Sequence, residues 1–309
     1  MARIGLIDIG GKIPNLALMK ISAYHKSLGD TVELGKGGEL TYISTCFTKH
    51  RRFAEKALEM YQNAVVGGPG WDHTVALPPE ISSCRPDYSL YGINYGLGRL
   101  TAGCPGNCPW CVVPTCEGNE SKTVAQAGNI ANGDFLVLLD ANILACPDWP
   151  EHFREIRERG LTVHFTQGLD IRYVNDMVAN ELARLKVSDF RREHSRHYFA
   201  WDKPEIEQHV RNGILSLNKA GIKPYRLRFY ILVGYGTTWE EDWHRFTVLR
   251  DLGVESFIMC YEGANKKLKS FATYVNKFIY KKNSWEDYRR WGEGRENQQS
   301  LLFGEEANG

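Results

Sequence analysis

The residues best equipped for chemistry are Cys104, Cys108 and Cys111, in the run Gly103-Cys104-Pro105-Gly106-Asn107-Cys108-Pro109-Trp110-Cys111. Thiolates at the spacing CxxxCxxC, in a turn made by Gly and Pro, converge on one metal centre, because a tight loop brings their sulfurs to a common point. A structural zinc site or an ordinary iron–sulfur cluster takes four protein ligands. Three thiolates on a four-iron cluster leave one iron open to a further ligand. Cys116 follows five residues after Cys111. It keeps a Cys₄ zinc knuckle open as an alternative, beside a redox disulfide and three unrelated thiols. Zinc sites usually come as two short pairs across a longer spacer, and the sequence lacks that pattern.

The elements that must position this loop follow a strand–loop–helix rhythm from Leu97 onward. Strands are predicted at 98–103, 135–139, 162–166, 196–201, 226–233 and 254–260. Phe135-Leu136-Val137-Leu138-Leu139 has no polar alternation, the mark of a parallel strand buried on both faces. The helices between are punctuated. Asp148 with Pro150 opens one that Gly160 ends, and Asp202 with Pro204 opens the helix ended by Gly221. Thr238 with Glu241 forms a capping box for the helix closed by Gly253. Six such units fit a partial (β/α)6 TIM-type barrel, and barrels carry chemistry at the C-terminal ends of their strands. That rule selects Asp140 and Asn142 after the second strand, and Gln167, Asp170 and Arg172 after the third. It also selects Asp202 after the fourth, and Val233 with Gly234 at the end of the fifth.

Residues 1–76 alternate differently. Ile4 to Ile9 reads as a strand, followed by a helix through Leu16, Met19 and Ala23 that ends near Gly29. Strands at 31–34 and 42–47 follow, then a helix (Arg52 to Tyr61) with Phe53, Ala57, Leu58 and Tyr61 on its apolar face, and a strand ending in Gly67-Gly68. This pattern predicts a small doubly wound, Rossmann-like α/β domain. Cys46 reads as a small buried residue. Residues 77–97, rich in Pro and Tyr, read as a linker draped over both domains. The barrel occupies 98–283, leaving 284–309 as a polar, partly disordered extension. His164, His194 and His197 lack ligand spacing and read as surface or strand residues. Near the C-terminus, lysines 266, 267 and 269 precede Phe271, Tyr274, Val275 and Phe278. Lys281, Lys282, Trp285, Tyr288, Arg289, Arg290 and Trp291 follow. Basic residues interleaved with aromatics suit nucleic acid, while an amphipathic helix with a solvated face, closing the barrel, is the plainer reading.

The cysteine loop, with an aromatic residue just before its last cysteine, resembles that of the radical S-adenosylmethionine (SAM) enzymes, and the predicted partial barrel is that family's fold. The resemblance implies a 4Fe-4S cluster on Cys104, Cys108 and Cys111. SAM would bind the open iron, and an electron from the cluster would cleave it to a 5′-deoxyadenosyl radical. It further implies that Asp140 and Asn142 meet the methionine ammonium, in place of the family's Gly-Gly-Glu-like segment. Gln167, Asp170 and Arg172 would hold polar parts of SAM or substrate, Asp202 the ribose, and Val233 with Gly234 the adenine. The family's need of an electron donor implies a flavodoxin- or ferredoxin-type partner and oxygen sensitivity. The N-terminal half is similar to the cobalamin-binding domain of many such enzymes. In the members that ligate cobalt by histidine, an Asp-x-His-x-x-Gly motif supplies it; here Asp72-His73 is adjacent, so only cobalamin held without a protein ligand remains open. Thr45-Cys46 is loosely similar to the tRNA methylthiotransferases. Gly10, where a first cysteine would stand, argues against their second cluster.

The 309 residues carry 38 Lys+Arg against 37 Asp+Glu, so net charge argues for neither nucleic acid nor membrane. Eight cysteines in a chain this long are too few for a disulfide scaffold. With no apolar stretch long enough for a membrane span and an N-terminus that reads as a strand, a cytoplasmic protein is expected. The sequence therefore predicts a radical SAM enzyme of unknown substrate. Methylthiotransferase-like and cobalamin-dependent methyltransferase-like activities stand as alternatives within the class. A non-catalytic zinc- or nucleic-acid-binding protein is the alternative outside it.

Overall fold

The computed structural model describes residues 1–289; Arg290, Trp291 and the tail 292–309 lie outside the described residues. The chain is a mixed α/β protein built on parallel sheets. It opens with β1 (Arg3–Ile9), α1 (Leu16–Ser27), β2 (Thr31–Leu34), β3 (Leu40–Thr45), α2 (Arg51–Met60) and β4 (Ala64–Gly67). These strands form one all-parallel sheet in the order β2-β1-β3-β4. Asn15 caps α1 by accepting from the Ala17 and Leu18 amides, which fixes the turn out of β1. The apolar stripe of α2 is Ala54 and Ala57, with Leu58 and Tyr61 partly covered. Phe53 lies outside that stripe at 44% exposure, contrary to its expected place on the apolar face. Cys46, expected to be buried, is exposed just past β3, where the Asn15 amide donates to its sulfur.

Residues 79–95 run between this sheet and the rest through α3 (Pro79–Ser82) and a short 3-10 turn at Tyr88–Leu90. Asp87 accepts from Ser22 and Lys26 of α1, and Tyr91 donates to Asp8 at the end of β1. In the other direction, Tyr88 donates to the Ile130 carbonyl and Arg85 to that of Ala131.

The remaining strands are β5 (Gly96–Gly98), β6 (Thr101–Ala102), β7 (Lys122–Thr123), β8 (Phe135–Leu138), β9 (Thr162–Phe165), β10 (Leu169–Asp170), β11 (Lys186–Val187), β12 (His197–Ala200), β13 (Leu227–Val233) and β14 (Glu255–Cys260). Between them lie α4 (Val113–Glu117), α5 (Ala127–Ile130), α6 (Trp149–Glu158), α7 (Asp176–Arg184), α8 (Glu207–Lys219), α9 (Trp239–Asp251) and α10 (Lys266–Asn276). One sheet has the order β5-β8-β9-β11, the other β10-β12-β13-β14, and every pairing in both is parallel. β11 of the first sheet lies in the chain between β10 and β12 of the second, so the two sheets interleave along the chain.

The first predicted strand differs in kind. It was expected to run from 98 into the cysteine loop; instead β5 stops at Gly98 and the chain bends into β6, which pairs antiparallel with β7. The loop thus stands on a two-stranded stalk.

Residues on one face of each strand meet the helices in a single core: Leu136, Leu138, Phe199, Phe229, Ile231 and Ile258 are in it with Phe153, Leu182, Ile214 and Phe246. Phe271, Tyr274 and Val275 of α10 join it, with Trp285 packed against them. Phe271 and Tyr274 are therefore core groups with Trp285 and Tyr288 packed against them, and Lys266 and Lys269 lie on the exposed side of the helix. The capping box of α9 is present, Thr238 and Glu241 bonding reciprocally. Asp148 precedes α6 without capping it, because its carboxylate accepts from Thr123 instead. His164 and His197 are buried on strands, and His194 is exposed. Among the described residues no helix is long and apolar enough to cross a membrane.

Candidate functional site

The cysteine loop is closed at its base by backbone bonds and one ion pair. Thr101 pairs with Thr123, Ala102 with Lys122, and the Cys104 amide donates to the Gly118 carbonyl at 3.1 Å. Glu117, at the end of α4, accepts from the Gly103 amide and pairs with Arg99. Gly103 is needed at the exit from β6: its φ is +89°, and a Cβ there would lie 2.1 Å from the Glu120 carbonyl oxygen.

Asp140 fixes the stalk to β8. It is buried, and its carboxylate accepts from the Leu100 amide, the Thr101 amide at 2.6 Å and the Thr101 hydroxyl at 2.7 Å. Burial pushes this carboxyl up to about 6, against the pull of the Thr101 hydroxyl and the two amides. Asp140 was expected to meet an ammonium; its acceptors are committed to the strand that carries the loop, so its place is beneath the site.

Within the loop, the Gly106 amide donates to Cys104 Sγ at 3.3 Å, and the Asn142 amide to the same sulfur at 3.5 Å. A Cβ on Gly106 would sit 3.1 Å from Cys104 Sγ, 3.5 Å from an Arg172 Nη atom and 3.8 Å from Cys108 Sγ. The absence of that carbon leaves an open approach to two sulfurs and a guanidinium. Burial pushes the Cys108 and Cys111 thiols up, while Lys203 and Arg172 pull Cys108 back toward the thiolate. Among the described residues, Cys104, Cys108 and Cys111 do not all come within 4.8 Å of one another, and no set including Cys116 does. Four thiolates on one tetrahedral zinc, each at about 2.3 Å, would lie about 3.8 Å apart. The loop is more open than that.

Residues from several strand ends surround it. Asn142, after β8, is 3% exposed; its Nδ2 also donates to Asp170, and its Oδ1 is buried with no partner. Asp170, at the end of β10, holds Arg172 by two bonds, from Nε at 2.9 Å and Nη2 at 2.6 Å, which turns the guanidinium toward the loop. Those bonds push the Arg172 group further up. Lys203, after β12, lies over the Trp110 ring at 6.0 Å from its centre. Trp110 packs edge-on against Tyr235 beyond β13, which packs in turn against Tyr261 beyond β14.

The remaining predicted residues are placed as follows. Gln167 is exposed. Asp202 does not cap a helix: its carboxylate accepts from the Leu232 amide at 2.8 Å, joining the ends of β12 and β13, and burial pushes it up. Val233 is fully buried, and its carbonyl accepts from Tyr261. Gly234 has φ +84°, and a Cβ there would press on Leu268 at 3.0 Å.

Sequence reasoning missed Lys203, the Arg99–Glu117 clasp and above all Arg245. Arg245 is 0% exposed and donates to the carbonyls of Trp201, Asp202 and Leu232 and to Asp242. It ties the ends of β12 and β13 from behind. The available signal was a charged residue in the apolar stripe of α9, between Asp242, Phe246 and Leu249. No protein-family model and no curated protein sequence matches the chain.

Proposed function

We propose that the protein is a radical SAM enzyme, with Cys104, Cys108 and Cys111 holding a 4Fe-4S cluster. On this reading β5, β8, β9–β10, β12, β13 and β14 form a partial (β/α)6 barrel, and the β1–β4 sheet is a Rossmann-like domain before it. One observation carries the proposal: a three-cysteine loop is met by side chains from the ends of successive parallel strands, Asn142, Arg172, Lys203 and Tyr235. The donor set fits the cluster: three thiols in one loop, with amide N–H groups on a sulfur and an unpartnered acceptor beside it.

The cluster, reduced by an external flavodoxin- or ferredoxin-type donor, would supply the electron that cleaves SAM to a 5′-deoxyadenosyl radical. The chain's own residues do the rest. Asn142 donates to Cys104 and presents its buried Oδ1, the natural acceptor for an ammonium. Arg172, aimed by Asp170, offers the N–H groups that Asp170 leaves unused to a carboxylate. Asp202, with one oxygen on Leu232, keeps the other for a ribose hydroxyl. The turn at Gly234 gives the chain a side-chain-free edge for a flat ring. Trp110 of the loop packs edge-on against Tyr235, which joins the end of β13 to the loop.

Anaerobically reconstituted, reduced protein should release 5′-deoxyadenosine from SAM, and the C104A/C108A/C111A variant should not. A cluster-loaded protein that never cleaves SAM would end the catalytic reading.

A further inference from the structure

The face of the β8–β14 strands turned away from the helices is half covered and half bare. On β5 and β8, Leu97, Phe135 and Val137 are covered by Met19 and Tyr88, with Ile13, Tyr91 and Tyr95 packed against them. On β14 the corresponding face carries Phe257 and Met259, with Tyr261 just past the strand, and these remain 37%, 36% and 36% exposed. The strand's other face, Ser256 and Ile258, is buried. Three large side chains at i, i+2 and i+4 on an otherwise well-covered sheet form a strip that wants a flat or apolar occupant.

The strip has a direction. At its top Tyr261 touches Tyr235, which touches Trp110 of the cysteine loop. Lower down, Phe257 packs against Tyr230, and Tyr230 stacks on Tyr198 with ring centres 5.6 Å apart. It therefore leads from the cysteine loop along a wall of aromatic rings. At its foot one carboxylate, Glu255, faces two guanidiniums, Arg196 and Arg228, so the foot is cationic.

A row of cations follows the free edge of the same strand. Asn276 bonds to both the N–H and the C=O of Ile258, which sets Lys277, the next residue, beside that edge. Cys260 Sγ, at the end of β14, donates to the Leu268 carbonyl, which sets Lys269, the next residue, beside the end of the strand. Lys281 lies 4.6 Å over Phe278, the ring that Arg228 also covers. Lys269, Lys277 and Lys281 are exposed. The chain as a whole is nearly neutral, yet residues 262–289 hold seven Lys or Arg against Glu262, Glu286 and Asp287.

Flat rings beside a spaced row of cations match the two parts of a nucleotide strand. We propose that β14 and α10 bind single-stranded nucleic acid, phosphates along Lys269, Lys277 and Lys281 and a base against Phe257 and Met259. This deepens the radical SAM reading by giving its site a substrate class, a nucleobase in a single strand, and rests on that reading only for what happens to the base. A duplex keeps its bases stacked and cannot use the strip.

The test is fluorescence anisotropy with the full chain, free of cluster and SAM. The probes are labelled oligouridylate and oligothymidylate of about twelve nucleotides, a duplex of equal length and polyglutamate. The expected result is salt-dependent binding of single strands over the duplex, with the RNA and DNA arms showing which sugar is preferred. K269E/K277E, both on exposed positions, should weaken binding about tenfold or more and flatten the salt slope by about one unit or more. F257A should weaken it about tenfold at an unchanged slope. Urea unfolding and circular dichroism of both variants separate lost binding from lost fold. No binding at low salt, equal affinity for the duplex, polyglutamate bound as tightly, or F257A bound as well as wild type would each overturn the proposal. Since SAM cleavage is measured separately, either reading can fail while the other stands.

Discussion

Gly103 sets the angle at which the cysteine loop leaves its stalk, and replacing it with alanine isolates that contribution. Its φ is +89°, and the added carbon would lie 2.1 Å from a backbone oxygen, that of Glu120. Gly160, just past α6, is the control: its φ is +67°, and nothing lies within 4 Å of the same added carbon. Both substitutions incur left-handed strain of about 1–2 kcal/mol, and both recover a similar part of it, about 0.4–1 kcal/mol, by restricting the unfolded chain. Only Gly103→Ala must also displace the Glu120 carbonyl. That movement breaks the Cys104 to Gly118 bond and the Thr101–Thr123 pairing, at about 1 kcal/mol each. Gly103→Ala should therefore be about 2 kcal/mol less stable than Gly160→Ala in urea unfolding. It should also take up much less iron on anaerobic reconstitution, while Gly160→Ala loads fully. Equal stability and equal iron in the two variants would refute the claim that this backbone clasp shapes the loop.

Arg245→Leu should cost about 3–5 kcal/mol in urea unfolding, because it leaves the Asp242 carboxylate buried and unpaired; D242L/R245M should recover most of that loss. Asn142→Ala removes a donor from Cys104 Sγ and should move the cluster's reduction potential to a more negative value in a spectroelectrochemical titration. Asp140 carries a pH signature: its carboxyl sits at about 6 when folded against 3.8 for the free group. The folded chain thus holds that proton better than the unfolded one. Its contribution is full below about pH 4 and falls by about 3 kcal/mol as pH rises through 6. Thermal melts of the cluster-free protein from acid to neutral pH should show wild type losing stability relative to Asp140→Asn, and parallel curves would contradict this.

Much of the framework was legible in the sequence because it rests on local rules. The apolar run at 135–139 gave a strand buried on both faces, and Gly160, Gly221 and Gly253 end their helices with φ of +67°, +95° and +72°. What was not legible depends on partners far along the chain. Asp140 looks like a strand-end ligand until Leu100 and Thr101, some forty residues earlier, are seen to occupy it. Asp202 and Asp148 have the spacing of caps, yet Leu232 and Thr123 claim their carboxylates. The stalk under the cysteines escaped because Thr101–Ala102 is too short to carry a periodic signal. Arg245 escaped because a charge in an apolar stripe reads as surface until three carbonyls are found to surround it.

The central claim is that Cys104, Cys108 and Cys111 hold a four-iron cluster with one iron left for SAM. Electron paramagnetic resonance of the reduced, reconstituted protein tests it most directly. The account predicts a cluster signal that changes on adding SAM and is absent from the C104A/C108A/C111A variant. A protein that takes up stoichiometric zinc and no iron, or a cluster signal indifferent to SAM, would contradict it.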